Sequence, residues 1–293
     1  MLSRRDLLAG GVGMLSYMRE ASPLLVDSHV HVWTHDPQYP FAVGATVPPI
    51  DATAESLLTR MRENGVDSTV LIQVIHYKWD NAYLVATLRR YPEKFAGVCR
   101  VNPEDPAAPD HLSRLTEDGC HGVRLSPATD ASGDWIRGEL MPPLWKRCAE
   151  LKIPMTLLLP VSRLADVTPL IEKHPELKVV IDHMADCPVD DRSKLAQLIA
   201  LSRYPGVFVK ISHMWSLSQQ AYPYADASAM VARVRDAFGA ERLMWGTDWP
   251  IRPELVSYAD RISLYRNARN TPFFSTQERG EVLYRTARRV WSF

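Results

Sequence analysis

The chain has 293 residues, 46% hydrophobic and 23% charged, with 34 basic against 34 acidic side chains and a formal net charge of +0. That mix excludes a disordered or collagen-like chain, and the charge balance leaves no electrostatic footprint for nucleic acid or an anionic membrane. The sequence holds no run of 18 apolar residues, so no helix is expected to span a membrane.

The N-terminus reads Met1-Leu2-Ser3-Arg4-Arg5-Asp6-Leu7-Leu8, with paired arginines ahead of a short, glycine-broken apolar run that ends near Tyr17. Residues 1–22 read either as a twin-arginine export signal, with Ala21 at the cleavage position, or as a flexible tail with a chance arginine pair. The first reading places the protein in the periplasm, the second in the cytoplasm.

From residue 23 to 293 the chain reads as one domain. Apolar, β-branched runs stand at Leu24–Trp33, Thr69–His76, Phe95–Val101, Gly122–Ser126, Met155–Leu159, Lys178–Met184, Val207–Ser212 and Leu243–Trp249. Helical patterns lie between them at Thr53–Asn64, Asn81–Tyr91, Ala108–Asp118, Leu140–Leu151, Val167–His174, Arg192–Ser202 and Ser228–Phe238. Thr53 or Asp51 caps the first helix and Gly65 ends it. Strands that are apolar on both faces suit a parallel sheet covered by helices. Eight β-then-α alternations without a GxGxxG or GxxxxGK[ST] run predict a (β/α)₈ TIM barrel, with residues 258–293 as extra C-terminal helices. The four cysteines, Cys99, Cys120, Cys148 and Cys187, lack metal-knuckle spacing and read as buried free thiols.

A barrel of this type carries its chemistry at the C-terminal strand ends. The first strand ends in Asp27-Ser28-His29-Val30-His31-Val32-Trp33, and residues two apart share a face, which pairs His29 with His31. Arg124 stands on the fourth strand, Asp182-His183 on the sixth, Lys210 on the seventh and Asp248 at the end of the eighth. Alone, His31 reads as a satisfied core histidine; with His29, His183 and Asp248 on other strand ends the set reads as a site. Arg124 and Lys210 read either as substrate-binding cations or as a buried ion pair with Asp182 or Asp27. His76, Tyr77 and Trp33 stand beside the mouth as candidate pocket lining, whereas His111 and His174 read as solvated.

The chemistry open to this set divides two ways. His29, His31 and Asp248 could ligate a divalent metal, zinc or manganese. With a metal, Asp248 would take the proton from the bound water and His183 would hold that water or protonate the leaving oxygen; without metal, the histidines would donate hydrogen bonds to a carbonyl oxygen while Asp248 acts as general base. Arg124 offers a planar fork for a carboxylated small molecule.

The strand-1 HxH, "VVIDHMADCP" on strand 6, "LMWGTDWP" on strand 8, "HGVRLSP" and "VFVKIS" resemble the amidohydrolase superfamily over residues 24 to 290. Within it they are similar to the amidohydrolase-related branch that includes 2-pyrone-4,6-dicarboxylate lactonase and sugar lactonases. The resemblance implies a hydrolase, with His29, His31, His183 and Asp248 at the matching positions. One departure matters: strand 5 reads Met155-Thr156-Leu157-Leu158-Leu159, without the histidine or modified lysine usual in metal-dependent members. That points to opening of a lactone. The alternatives are a metal-dependent decarboxylase or amide hydrolase of the same superfamily and, from another class, a barrel that binds a carboxylated ligand without turnover.

Overall fold

The computed structural model of the protein describes residues 24–126 and 135–293. The arginine-pair segment and most of the loop after the fourth strand lie outside the described residues. Eight parallel strands follow one another in spatial order: β1 Val26–Val30, β2 Ser68–Ile72, β3 Phe95–Cys99, β4 Cys120–Leu125, β5 Met155–Leu157, β6 Val179–Ile181, β7 Val207–Lys210 and β8 Leu243–Met244. β8 returns to β1 through a parallel bridge between Val30 and Trp249. Backbone bonds from His31 N to Trp249 O at 2.8 Å and from Asp248 N to His29 O at 2.8 Å complete the seam. Gly246 is required at that seam: a Cβ there would stand 2.6 Å from the His29 Cβ and 2.9 Å from its backbone nitrogen. The fold is a (β/α)₈ barrel.

The outer helices are α1 Ala54–Asn64, α2 Ala82–Arg90, α3 Ala108–Glu117, α4 Met141–Leu151, α5 Leu164–Lys173, α6 Arg192–Ala200, the single turn α7 Met214–Leu217, α8 Ala225–Phe238 and α9 Tyr258–Arg266. α10 Thr276–Gly280, a π-helical turn Glu281–Arg285 and α11 Thr286–Trp291 end the chain. Local chemistry sets the ends of α1. Thr53 Oγ1 accepts from Ser56 N at 3.2 Å, and Gly65 takes φ 69 past the last turn, where a side chain would be strained.

Apolar burial divides into two bodies. The larger packs helices against the outside of the strands and includes Leu57, Leu88, Leu112, Trp145, Val167, Leu198 and Val234. The smaller fills the bore: Val26, Val70, Ile72, Ala96, Val98, Val180, Phe208 and Met244 meet Ala287, Val290 and Trp291 of α11. The C-terminal helix is thus a plug for the barrel floor, and Trp291 is 1% exposed. At roughly 1.5–3 kcal/mol for each fully buried apolar side chain, this plug is a substantial stabilising element.

Three sequence expectations change. The strands are shorter than the apolar runs, so His31, Trp33, His76, His183 and Asp248 all lie just beyond strand ends. Apolar character persists there because the segments stay buried, although the backbone leaves the ladder to turn across the mouth. The helices expected at Val167 and Ser228 begin earlier, at Leu164 and Ala225. His174 is not solvated: it packs beside Trp145, with ring centroids 6.4 Å apart, and is 9% exposed. His111 is half-exposed beside Asp105, and all four cysteines are free and buried.

Candidate active site

At the top of the bore the apolar filling gives way to buried polar side chains. β1 delivers His29 and His31 through an irregularity in its register with β2 between Asp27 and Val30. Their rings stand edge to face, with Nε2 atoms 3.3 Å apart. Asp248 Oδ1 lies 3.5 Å from His29 Nε2 and 3.4 Å from His31 Nε2. His31 Nδ1 is 2.8 Å from the carbonyl of Ile72. A carbonyl only accepts, so that nitrogen is the donor, and in the neutral ring the Nε2 lone pair faces the cluster.

On the other side of His29 stands an ionic group. Lys210 Nζ lies 3.1 Å from His29 Nδ1 and 3.1 Å from Asp182 Oδ1. Arg124 Nε donates to Asp182 Oδ2 at 3.0 Å. The two cations of β4 and β7 therefore converge on Asp182, one of the two partners open from sequence. Asp27 turns instead to β8, accepting from Thr247 Oγ1 at 2.6 Å and Thr247 N at 2.9 Å. Lys210 also sits 5.0 Å above the Trp291 ring, directly on the apolar plug.

His183 Nδ1 pairs with Ser212 Oγ at 2.8 Å. Its ring lies 4.5 Å from those of His29 and His213. His213 was not singled out by sequence; its Nε2 is 3.6 Å from Asp248 Oδ2, and its side chain is 20% exposed. His183, His213 and Asp248 all take positive φ (50, 68 and 57). Such conformations cost non-glycine residues energy and recur at functional sites.

Burial, with the Lys210 charge adding to it, pulls the His29 imidazole down to about 3. Burial also pushes His183 well below its ordinary range, with His213 and His29 adding to the effect. Burial alone would raise Asp182, but Lys210, His29 and Arg124 hold it well below the usual carboxylate range. Burial likewise opposes the charge on Asp248, while the His31 contact and the neighbouring His183, His213 and His29 lower its carboxyl below the usual carboxylate range. Asp27 keeps the burial effect and rises to about 6.

The other candidates fall around this centre. Trp33 Nε1 donates to Ile50 O at 2.7 Å, and the Trp33 backbone bridges Ala52. The Tyr77 hydroxyl bonds the Thr34 backbone at 3.0 and 3.1 Å and its ring stacks on Phe41. Both residues spend their polar atoms on shaping the loop after β1. His76 is half-buried between Trp33 and Phe41, and burial lowers it, with His31 close enough to add to the effect. Arg137 and Arg163 pair with Asp166 at the outer surface.

Three overlapping donor sets lie within 4.8 Å: His29, His31 and Asp248; His183, His213 and Asp248; His29, Asp182 and His183. Among the described residues, β5 contributes to none of them. Ligands about 2.0–2.1 Å from a tetrahedral zinc lie about 3.3–3.4 Å apart. The separations of 3.3, 3.4 and 3.5 Å within the first set fit a divalent cation of that size.

His29 on β1, His31 just past it, His183 past β6 and Asp248 past β8 come together at the mouth of the (β/α)₈ barrel, the end where barrels of this type carry their chemistry. The chain belongs to the amidohydrolase family, whose model matches residues 26–293. It is 28% identical over 235 residues to L-fucono-1,5-lactonase of Burkholderia ambifaria, covering 77% of this chain and 80% of that one. It is 27% identical over 237 residues to 2-pyrone-4,6-dicarboxylate hydrolase of Comamonas testosteroni, covering 77% and 76%. Among solved structures, an amidohydrolase of Burkholderia multivorans with bound zinc superposes with a TM-score of 0.72 at 23% identity, covering 92% of this chain and 99% of that one.

Proposed function

We propose that the protein opens a lactone by base-assisted attack of water. The observation that carries this is the buried Asp248 carboxylate, with one oxygen 3.4 and 3.5 Å from His31 and His29 and the other 3.6 Å from the partly exposed His213. The two relatives compared above, which act on a sugar lactone and a cyclic ester by their names, support the reading.

In the reaction, Asp248 orients a water molecule and accepts its proton as the oxygen adds to the lactone carbonyl carbon. The oxyanion formed is met by the proton that the His29 ring carries on Nε2. Collapse breaks the bond between the acyl carbon and the ring oxygen. His183, fixed by Ser212, is the group placed to hold the water or hand a proton to that leaving oxygen. One water is consumed and a hydroxy acid is released. Arg124, anchored through Nε, turns the rest of its guanidinium to a substrate carboxylate, and His76 lines the approach. A divalent metal, zinc or manganese, would be held by His29, His31 and Asp248, and would supply Lewis acidity towards the carbonyl.

The test is acid release from aldonolactones and carboxylated lactones by wild type and Asp248→Asn. Saturable turnover that the substitution abolishes supports the reading; undiminished turnover in Asp248→Asn overturns the base assignment. Ligand stabilisation without turnover would favour a binding barrel, and carbon dioxide release from an aromatic acid would favour the decarboxylase.

A further inference from the structure

A neutral imidazole carries one proton, so a metal on His29 Nε2 requires that proton on Nδ1. In this barrel, Nδ1 of His29 faces a buried ammonium. Lys210 Nζ stands 3.1 Å away, within hydrogen-bond reach, whereas the nearest oxygen of Asp182 is at 3.4 Å. An ammonium has donors and no acceptor, so a proton on Nδ1 would point donor against donor. With the lone pair on Nδ1 instead, the contacts form one directed chain. Lys210 donates to His29 Nδ1, His29 Nε2–H points to His31 Nε2 at 3.3 Å, and His31 Nδ1–H donates to Ile72 O at 2.8 Å. The proton on His29 Nε2 then occupies the space among His29, His31 and Asp248 that a divalent cation would take.

We infer that Lys210 is a positioning residue that sets the His29 tautomer and so biases the centre towards a proton and against a divalent metal. The residue is held for that role from every side: Asp182 pairs with it at 3.1 Å, Arg124 anchors the far oxygen of Asp182, and the Trp291 ring lies beneath it at 5.0 Å. The side chain is 0% exposed, so it has no route to solvent that would vacate the position. Its positive charge adds to the bias by repelling a second cation. The inference does not depend on which substrate is turned over.

Two readouts test it. Nitrogen-15 imidazole spectra of metal-free wild-type protein, with the His29 signals assigned by their loss in His29→Gln, report which ring nitrogen carries the proton. Zinc titration against a competing chelator compares wild type with Lys210→Met, which keeps an unbranched side chain over Trp291 and removes both donor and charge. The expected result is a proton on His29 Nε2 in wild type, and zinc bound at least tenfold tighter by Lys210→Met. A proton on Nδ1 in the wild type, or equal zinc affinity in Lys210→Met, overturns the inference. If Lys210→Met fails to fold, the wild-type spectrum decides alone.

Discussion

The two ends of the barrel bore are built from the same strands and obey opposite rules. At the floor, Val26, Val70, Ile72, Ala96, Val98, Val180, Phe208 and Met244 close on Trp291 in an apolar plug. At the mouth, His29, His31, Asp182, His183, Lys210 and Asp248 are equally buried, with none above 5% exposure. The floor is stabilised by area removed from water, roughly 25 cal/mol per Å². The mouth bears a desolvation cost that is offset only by mutual contact, so each of its groups depends on its neighbours. The comparison teaches that loss of a floor residue lowers stability with the site chemistry intact, while loss of a mouth residue changes chemistry first.

The largest effect expected from breaking this contrast is at Asp248. Replacing the base by Asn lowers kcat/KM a thousandfold or more, about 4 kcal/mol of barrier, with a small change in melting temperature. Steady-state lactone hydrolysis and a thermal melt read the two together. At the floor, Trp291→Ala costs about 3–5 kcal/mol of unfolding free energy by denaturant titration, and the remaining folded protein keeps most of its kcat.

Asp27 joins the two ends, and it sharpens the contrast by pH. Its carboxyl rises from 3.8 to about 6 in the folded chain. A raised folded value gives stability that is full below the unfolded value and lost as pH rises through the folded one. The advantage of wild type over Asp27→Asn therefore falls by roughly 3 kcal/mol between pH 4 and pH 7. Asp182 and Asp248 act in the opposite sense, losing stability only as pH falls below the ordinary carboxylate range. A constant difference between wild type and Asp27→Asn across that window would contradict the assignment. The smallest effect is at the seam: Gly246→Ala crowds His29 and costs about 1–3 kcal/mol, with a kcat loss that marks the seam as part of the mouth.

The barrel was legible because the strands are largely apolar on both faces and the helices alternate with them, some with boundary signals such as Thr53 and Gly65 of α1. His29 and His31 were legible from period two, and Asp248 from its place after an apolar strand. His213 was not, because it follows β7 in a left-handed conformation that no periodicity predicts. The same backbone turn at His183 and Asp248 explains why both lie past the strands that the apolar runs seemed to extend. Asp182 was seen as one of two partners for Arg124 and Lys210. Its selection over Asp27 follows from Thr247 on β8, a long-range contact that the linear sequence does not display.

The measurement that tests the central claim most directly is proton release from a panel of carboxylated and sugar-acid lactones by metal-depleted protein, alongside Asp248→Asn. Lactone opening with Asp248 as base predicts saturable hydrolysis of at least one lactone and its loss in the variant. Folded protein that releases no acid from any lactone, with or without added zinc, would contradict it.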